Sequence, residues 1–324
     1  MTVYYLICIL IALFAIELFY FKIADHFNII DKPNHRSSHT AVTIRGGGII
    51  FAIAAVLFFV TYSFEYPFFI LGLALISFIS FLDDVMTLDN KIRLSIHLIA
   101  VLLLFYQWNL YGFEWYWLII AGIFVIGTIN AYNFMDGING ITGSYSLLAV
   151  ITLLYINDQV ISFTSAPLLI VVGLSLVVFN IFNFRKKAKC FAGDVGSVSI
   201  AFILVFVIGQ LILKTENFAY ILLLLCYGLD TAFTVLFRKI RKENIFKAHR
   251  SHFYQFLANE KKISHISVSI LYFTTQLIIN IFLVICIQDS AGWSLFTLIM
   301  SGLLFFVLRL FLEGKERLFT QIHN

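Results

Sequence analysis

An all-α, polytopic membrane helix bundle is the fold this sequence predicts, and three observations predict it. The 324 residues are 61% hydrophobic and only 12% charged, whereas a soluble domain carries roughly 25% charge. Apolar stretches of roughly 16–22 residues, about enough helix to cross a bilayer core, recur along the whole length. We read about eleven, near 2–21, 47–63, 67–82, 94–109, 115–131, 142–157, 166–183, 197–213, 218–237, 266–287 and 292–311. With the N-terminus outside and the C-terminus cytoplasmic, every Lys and Arg except Lys214 falls in a cytoplasmic segment. The positive-inside rule asks for that bias, and an even number of spans would break it.

The first stretch, MTVYYLICILIALFAIELFYF, has no basic leader and no small-residue cleavage site. It reads as a retained span rather than a signal peptide. Later spans are joined by short external turns and by longer polar cytoplasmic segments. Cys8, Cys226 and Cys286 lie in apolar runs and Cys190 in a loop, with no spacing for a disulfide or zinc site. Without a repeat, low-complexity tract or soluble insertion, residues 1–324 read as one integral membrane domain.

Five cytoplasmic segments hold the unusual chemistry. In DKPNHRSSHTAVTIRGGGI, Arg45 precedes three glycines that enter a span. Exposed amides at a helix start beside an arginine suit a phosphate, while glycines also permit close helix packing. In SFLDDVMTLDNKIRL, Asp83 and Asp84 follow an apolar run. Adjacent carboxylates beside hydrocarbon are costly, so one is expected on a cation and its neighbour on Lys91 or Arg93. A solvated helix end is the plainer alternative.

In NAYNFMDGINGITG, Asn130, Asn133 and Asp136 recur every three residues along one helix ridge. Asp-Gly and Asn-Gly then break the helix at membrane depth, where irregular backbone must face protein or water. FNFRKKAKCFAGDVGSVSI places four bases, Lys186 among them, before Asp194, with Phe191 close by. A carboxylate among glycines at a helix start suits a hard cation; the bases suit phosphates or lipid headgroups. In RKIRKENIFKAHRSHFYQF, His249 and His252 are spaced to share a helical face around Arg250. The metalloprotease spacing of histidines is missing, so a phosphate-binding group fits better than zinc. Asp230, an intramembrane acid, is a functional candidate by default.

Together these segments gather acids, amides, bases and histidines on one membrane face. Mg²⁺ takes one or two carboxylates and completes its shell with water and phosphates. A magnesium–phosphate site is therefore expected, serving one soluble phosphate compound and one lipid.

The motifs FLDDVMTL, NAYNFMDGING, FAGDVGS and AHRSHFYQ, in order from about Asp31 to Gln255, resemble those of the polyprenyl-phosphate N-acetylhexosamine-1-phosphate transferases, glycosyltransferase family 4. RSSH…RGGG and HRSHFYQ look closest to the branch that initiates O-antigen. The peptidoglycan branch typically has adjacent histidines where this chain has His249-Arg-Ser-His252. The resemblance implies transfer of a sugar 1-phosphate from a UDP-N-acetylhexosamine to undecaprenyl phosphate, with UMP released, at the bacterial cytoplasmic membrane. It implies Mg²⁺, with Mn²⁺ as a substitute, on Asp194, and Asp83 and Asp84 beside the attacking lipid phosphate. Asn133, Asp136 and Phe191 would hold the nucleotide, and His249, Arg250 and His252 the diphosphate or sugar. Arg45 and Lys186 complete the implied substrate contacts.

A peptidoglycan or teichoic-acid precursor transferase of the same family is the near alternative. A secondary transporter would place polar groups at the midplane in matching halves, which this pattern lacks; a scaffold without catalysis would not need its acids intact. Membrane lipids are expected neighbours, a homodimer through lipid-facing helices is compatible, and no nucleic-acid partner is expected.

Overall fold

The computed structural model describes residues 3–33, 42–86, 88–245, 249–287 and 291–320. The Arg36–His39 portion of the first motif lies outside them. Among the described residues thirteen α-helices run in order: α1 Val3–His26, α2 Ile49–Thr61, α3 Pro67–Val85, α4 Asn90–Gln107, α5 Trp115–Met135, α6 Ile141–Tyr155, α7 Ala166–Asn183, α8 Gly193–Thr215, α9 Leu225–Ile240, α10 Phe253–Asn259, α11 His265–Phe282, α12 Ala291–Glu313 and α13 Lys315–Phe319. The chain is a polytopic membrane helix bundle. Each of the eleven apolar stretches coincides with a helix. Among the described residues nine helical stretches are long and apolar enough to cross a membrane. The other two are α2, only 13 residues long, and α4, which opens with Asn90, Lys91 and Arg93.

The bundle is built around α8. It is apolar on every face, so it can be satisfied only at the centre, and 89% of its most apolar window is buried against 11% for α12. Helices α2, α3, α5 and α6 pack on it. Phe69 of α3 stacks on Phe206 of α8 with centroids 3.9 Å apart. At its polar end Gly196 meets Gly48 so closely that a Cβ on Gly196 would fall 2.6 Å from the Gly48 Cα. Only glycine permits that approach.

A small ladder completes the polar face. Strand β1, Ile30–Asp31, pairs antiparallel with β2, Thr43–Ile44, and Ile44 bridges Cys190. Gly47 and Gly48 donate their N–H groups to the carbonyls of Phe191 and Ala192 at 2.9 and 3.1 Å. These amides are therefore spent within the protein. For Gly47 and Gly48 the close approach favours the packing reading.

Midway through the apolar layer, a 3₁₀ turn at Phe218–Leu224 leads into α9. The side chain of Gln276 on α11 repairs the break: its Nε2 donates to the Leu222 carbonyl at 2.8 Å and its Oε1 accepts the Cys226 N–H at 3.0 Å. Backbone groups freed in hydrocarbon need such partners.

Candidate active site

The site begins where α3 ends. Successive side chains on a helix point about 100° apart, so Asp83 and Asp84 go to different partners. Asp84 turns inward and is fully buried. Its Oδ1 and Oδ2 accept the N–H groups of Asp194 and Val195, each at 2.9 Å. A carboxylate on the first amides of α8 also meets the positive end of the helix dipole. The Arg45 Nε lies 2.6 Å from the same Oδ1. Asp83 turns toward α4, accepts the Leu88 N–H at 3.0 Å and pairs with Arg93 Nη1 at 2.6 Å. The expectation that a neighbouring arginine holds one of the pair is met, and each of the two in fact has its own.

Asp194 stands between them. It receives Arg45 and Arg93 only at the longer distance of 3.4 Å each, and its side chain is 22% exposed. The preceding Gly193 has φ +71°, and a Cβ there would sit 2.5 Å from Asp84 Oδ2. Glycine thus lets Asp84 reach the helix start and leaves Asp194 facing out. Among the described residues no group of three or more His, Cys, Asp or Glu side chains is arranged to cage a metal. An open carboxylate backed by a second buried one suits a hard cation that takes most of its shell from phosphate and water. Of the three acids here, Asp194 has the most open side chain.

Two further segments adjoin this centre. Asn133 on the last turn of α5 donates to Ser197 Oγ at 3.2 Å, one turn along α8 from Asp194. Asp136 caps α5, where burial pushes its carboxyl up to about 7. Asn130, the outer member of the ridge, is exposed. The break after Asp136 is pinned from below: Asn139 Nδ2 donates to the Arg185 carbonyl at 2.9 Å and Asn183 Oδ1 accepts the Gly140 N–H at 2.7 Å. The Tyr254 hydroxyl donates to the Phe134 carbonyl at 2.9 Å, which draws the histidine segment alongside.

That segment differs from its expected form. His249 and His252 precede α10 as loop residues instead of sharing a helical face, because the helix starts only at Phe253. Their rings still stack with centroids 5.1 Å apart. Burial, and then His252, push the His249 imidazole down to about 3, so it is neutral near pH 7. Its Nδ1 accepts the Ser251 N–H at 3.3 Å.

The sequence matches the model of glycosyl transferase family 4 over residues 66–212. The matched segment runs from α3 to the outer half of α8 and contains Asp83, Asp84, Arg93, Asn133, Asp136, Phe191, Asp194 and Ser197. Arg45 and the His249–His252 loop reach its site from outside those limits. Similarity to curated proteins extends further along the chain. The undecaprenyl-phosphate alpha-N-acetylglucosaminyl 1-phosphate transferase of Yersinia pestis is 28% identical over 73% of this chain and 71% of its own. A probable undecaprenyl-phosphate N-acetylglucosaminyl 1-phosphate transferase of Bacillus subtilis is 26% identical over 78% and 75%. The phospho-N-acetylmuramoyl-pentapeptide-transferase of Thermotoga petrophila is 28% identical over 64% and 73%.

The remaining candidates are spread around this centre. Phe191 and Arg250 are half-buried, and Lys186 is exposed at the rim with its carbonyl accepting from Asn139. Sequence reasoning missed Ser197, hidden in an apolar run, and Tyr20 of α1, whose hydroxyl donates to the Arg45 carbonyl at 2.6 Å. It also missed an apolar cavity of about 1000 Å³ between α5, α9 and α12, whose lining includes Gly127, Ala131, Tyr132, Gly228 and Leu295. Ala131 and Tyr132 lead directly to Asn133.

Proposed function

We propose that the protein transfers N-acetylhexosamine 1-phosphate from a UDP-sugar to undecaprenyl phosphate at the cytoplasmic face of a bacterial inner membrane, releasing UMP and initiating a surface polysaccharide such as O-antigen. The observation that carries this reading is the open Asp194 at the start of α8. It is backed by buried Asp84, flanked by two arginines, and set near the end of α5, whose Ala131 and Tyr132 line the apolar cavity. Relatives named as transferases of this kind support it, and phosphotransferases of this family generally use a divalent metal.

Two anionic phosphates have to meet, so the protein's task is positioning and charge neutralisation. Bound Mg²⁺ on Asp194 would supply positive charge to the phosphoryl oxygens; Mn²⁺ has the same donor preference. Arg45 and Arg93 hold the three acids and offer their remaining N–H groups to substrate phosphate. An oxygen of undecaprenyl phosphate attacks the sugar-bearing phosphorus. The bond from that phosphorus to the bridging oxygen breaks, and UMP leaves with this oxygen. The attacking phosphate monoester is already largely ionised at neutral pH, so Asp83, the more open of the pair, steers the attacking group rather than serving as an essential base. Asp84, sealed on two amides and Arg45, positions Asp194. Asn133 and Asp136 hold the nucleotide near Phe191, while His249, Arg250 and His252 take the diphosphate and sugar, with Lys186 at the rim. The acceptor's isoprenoid chain lies in the cavity along α5 and α9.

The test is UMP release by purified protein given undecaprenyl phosphate, a panel of UDP-N-acetylhexosamines including UDP-N-acetylglucosamine and UDP-N-acetylmuramoyl-pentapeptide, and Mg²⁺ or EDTA. Lipid- and metal-dependent release that Asp194→Asn abolishes is the expected result, and the responding donor names the sugar. A folded protein that binds no nucleotide sugar would sink the proposal.

A further inference from the structure

Asp230 has no place in the chemistry above, yet it is the most heavily bonded acid among the described residues. It lies fully buried on α9, where an ionisable group needs a strong reason to be. Its Oδ1 accepts the Phe253 N–H at 2.9 Å, faces His252 Nδ1 at 3.3 Å and is reached by the Thr234 hydroxyl at 3.2 Å. Its Oδ2 accepts the Tyr272 hydroxyl at 2.5 Å and the Tyr254 N–H at 3.2 Å. A carboxylate offers about four lone-pair sites, so this one is saturated, and every donor but Thr234 and Tyr272 comes from residues 252–254.

A second residue closes the arrangement from the last long helix. Arg309 of α12 is 1% exposed. Its Nη1 donates to Thr234 Oγ1 and its Nη2 to the Ser251 carbonyl, each at 3.0 Å. Glu313, one turn on, accepts from its Nε at 2.5 Å, and the ring of Phe237 lies 5.0 Å from its guanidinium carbon. The segment from Ser251 to Tyr254 is thus held by α9 from below and by α12 from the side. His252 is 2% exposed; its Nδ1 is committed to Asp230, while its Nε2 has no hydrogen-bond partner among the described residues. A buried nitrogen left free, on a ring fixed through its other nitrogen, is the arrangement of an oriented functional histidine.

We infer that Asp230 is a positioning residue that fixes the ring of His252 so that its Nε2 meets the substrate, with Arg309 bracing the same loop from α12. The inference rests on the proposed role of the His249–His252 loop and adds the machinery behind it. A loop residue whose ring can swing presents its nitrogen for only part of the time. Anchoring both the ring and the two following amides on one buried charge removes that freedom.

The experiment is a double-variant cycle in the UMP-release assay, with purified full-length protein, undecaprenyl phosphate, the UDP-sugar that wild type turns over, and Mg²⁺. Asp230→Asn, His252→Gln and the combined variant are compared by kcat and KM, with thermal midpoints as the check on folding. Asp230→Asn is expected to change the same kinetic parameter as His252→Gln, lowering kcat/KM by ~10–100-fold, as loss of an orienting partner does. In the His252→Gln background it should add almost nothing. An equal proportional loss in both backgrounds would show a purely structural acid and overturn the inference. Wild-type rates from His252→Gln, or silence from wild type, would overturn the site reading itself and the inference with it. Should Asp230→Asn not fold, Tyr272→Phe, which removes one donor to the same carboxylate, replaces it in the cycle with the same expectation.

Discussion

Asp84 and Asp194 predict different stability responses to the same substitution. Asp84→Asn exchanges a buried carboxylate for an amide whose NH₂ would face an N–H of α8. It also strips Arg45 of its 2.6 Å partner. Hydrogen bonds to charged groups contribute about 1.5–3 kcal/mol each, so this variant should lose several degrees of thermal midpoint along with activity. Asp194→Asn gives up only two half-exposed contacts at 3.4 Å, worth about 1 kcal/mol or less. It should keep its midpoint and lose turnover; equal melting losses in scans of the two proteins would refute the division of labour. Asp136 carries a pH prediction. Its folded value of about 7 lies above the ordinary 3.8, so the folded state keeps a proton that the unfolded chain releases. The stability this gives is full below about 3.8 and is lost as pH rises through 7. Asp136→Asn should therefore melt above wild type at pH 8, by a margin that shrinks steadily as the pH falls toward the unfolded value near 3.8, with EDTA present in every scan. The acids were legible in the sequence because charge beside hydrocarbon demands a reason. Ser197 and Tyr20 were not, since a serine or tyrosine in an apolar run looks the same whether or not it bonds a site residue.

Helices and loops show a similar split. Every apolar stretch became a helix, because about twenty apolar residues have few other ways to satisfy their backbone in lipid. Loop structure depended on partners distant in sequence. The histidine spacing matched a helix, but the Ser251 carbonyl goes to Arg309 and the amides of Phe253 and Tyr254 go to Asp230, so α10 starts at Phe253. The break after α5 was legible from its Asp-Gly and Asn-Gly pairs. What holds it was not: Asn183, at the end of α7, accepts from Gly140 at 2.7 Å and donates to the Cys190 carbonyl at 2.8 Å. One buried amide therefore ties the α5–α6 break to the segment that leads into α8. Asn183→Leu leaves both backbone groups unpaired at about 1–3 kcal/mol each. It should lower the thermal midpoint and raise the KM for the UDP-sugar, whose proposed contacts lie on both loops. Unchanged KM in a destabilised protein would confine Asn183 to stability.

At the scale of the whole molecule, α8 is the post on which both the acids and the cavity helices are hung. Helix α5 packs on it, brings Asn133 beside Ser197 and turns another face to the cavity shared with α9 and α12. On the proposed function, a lipid phosphate would arrive at the polar end while its chain stays at membrane depth. Gly228 of α9 lines that cavity, and a Cβ built there meets nothing within 4 Å. At Gly228 a Cβ is thus free of clashes and the cavity leaves space beyond it, while Gly228→Leu raises helix propensity by about 0.5–1 kcal/mol, so folding should not suffer. The surrounding bilayer is as apolar as the cavity, so an isoprenoid chain gains its affinity there from packing rather than from leaving water. A leucine in the space takes that packing away. The expected result is a rise of about tenfold in the KM for undecaprenyl phosphate, equivalent to ~1.4 kcal/mol, with the KM for the UDP-sugar unchanged. A rise in both constants would mean that the leucine had disturbed the α5 break instead, and an unchanged acceptor KM would place the chain elsewhere on the bundle.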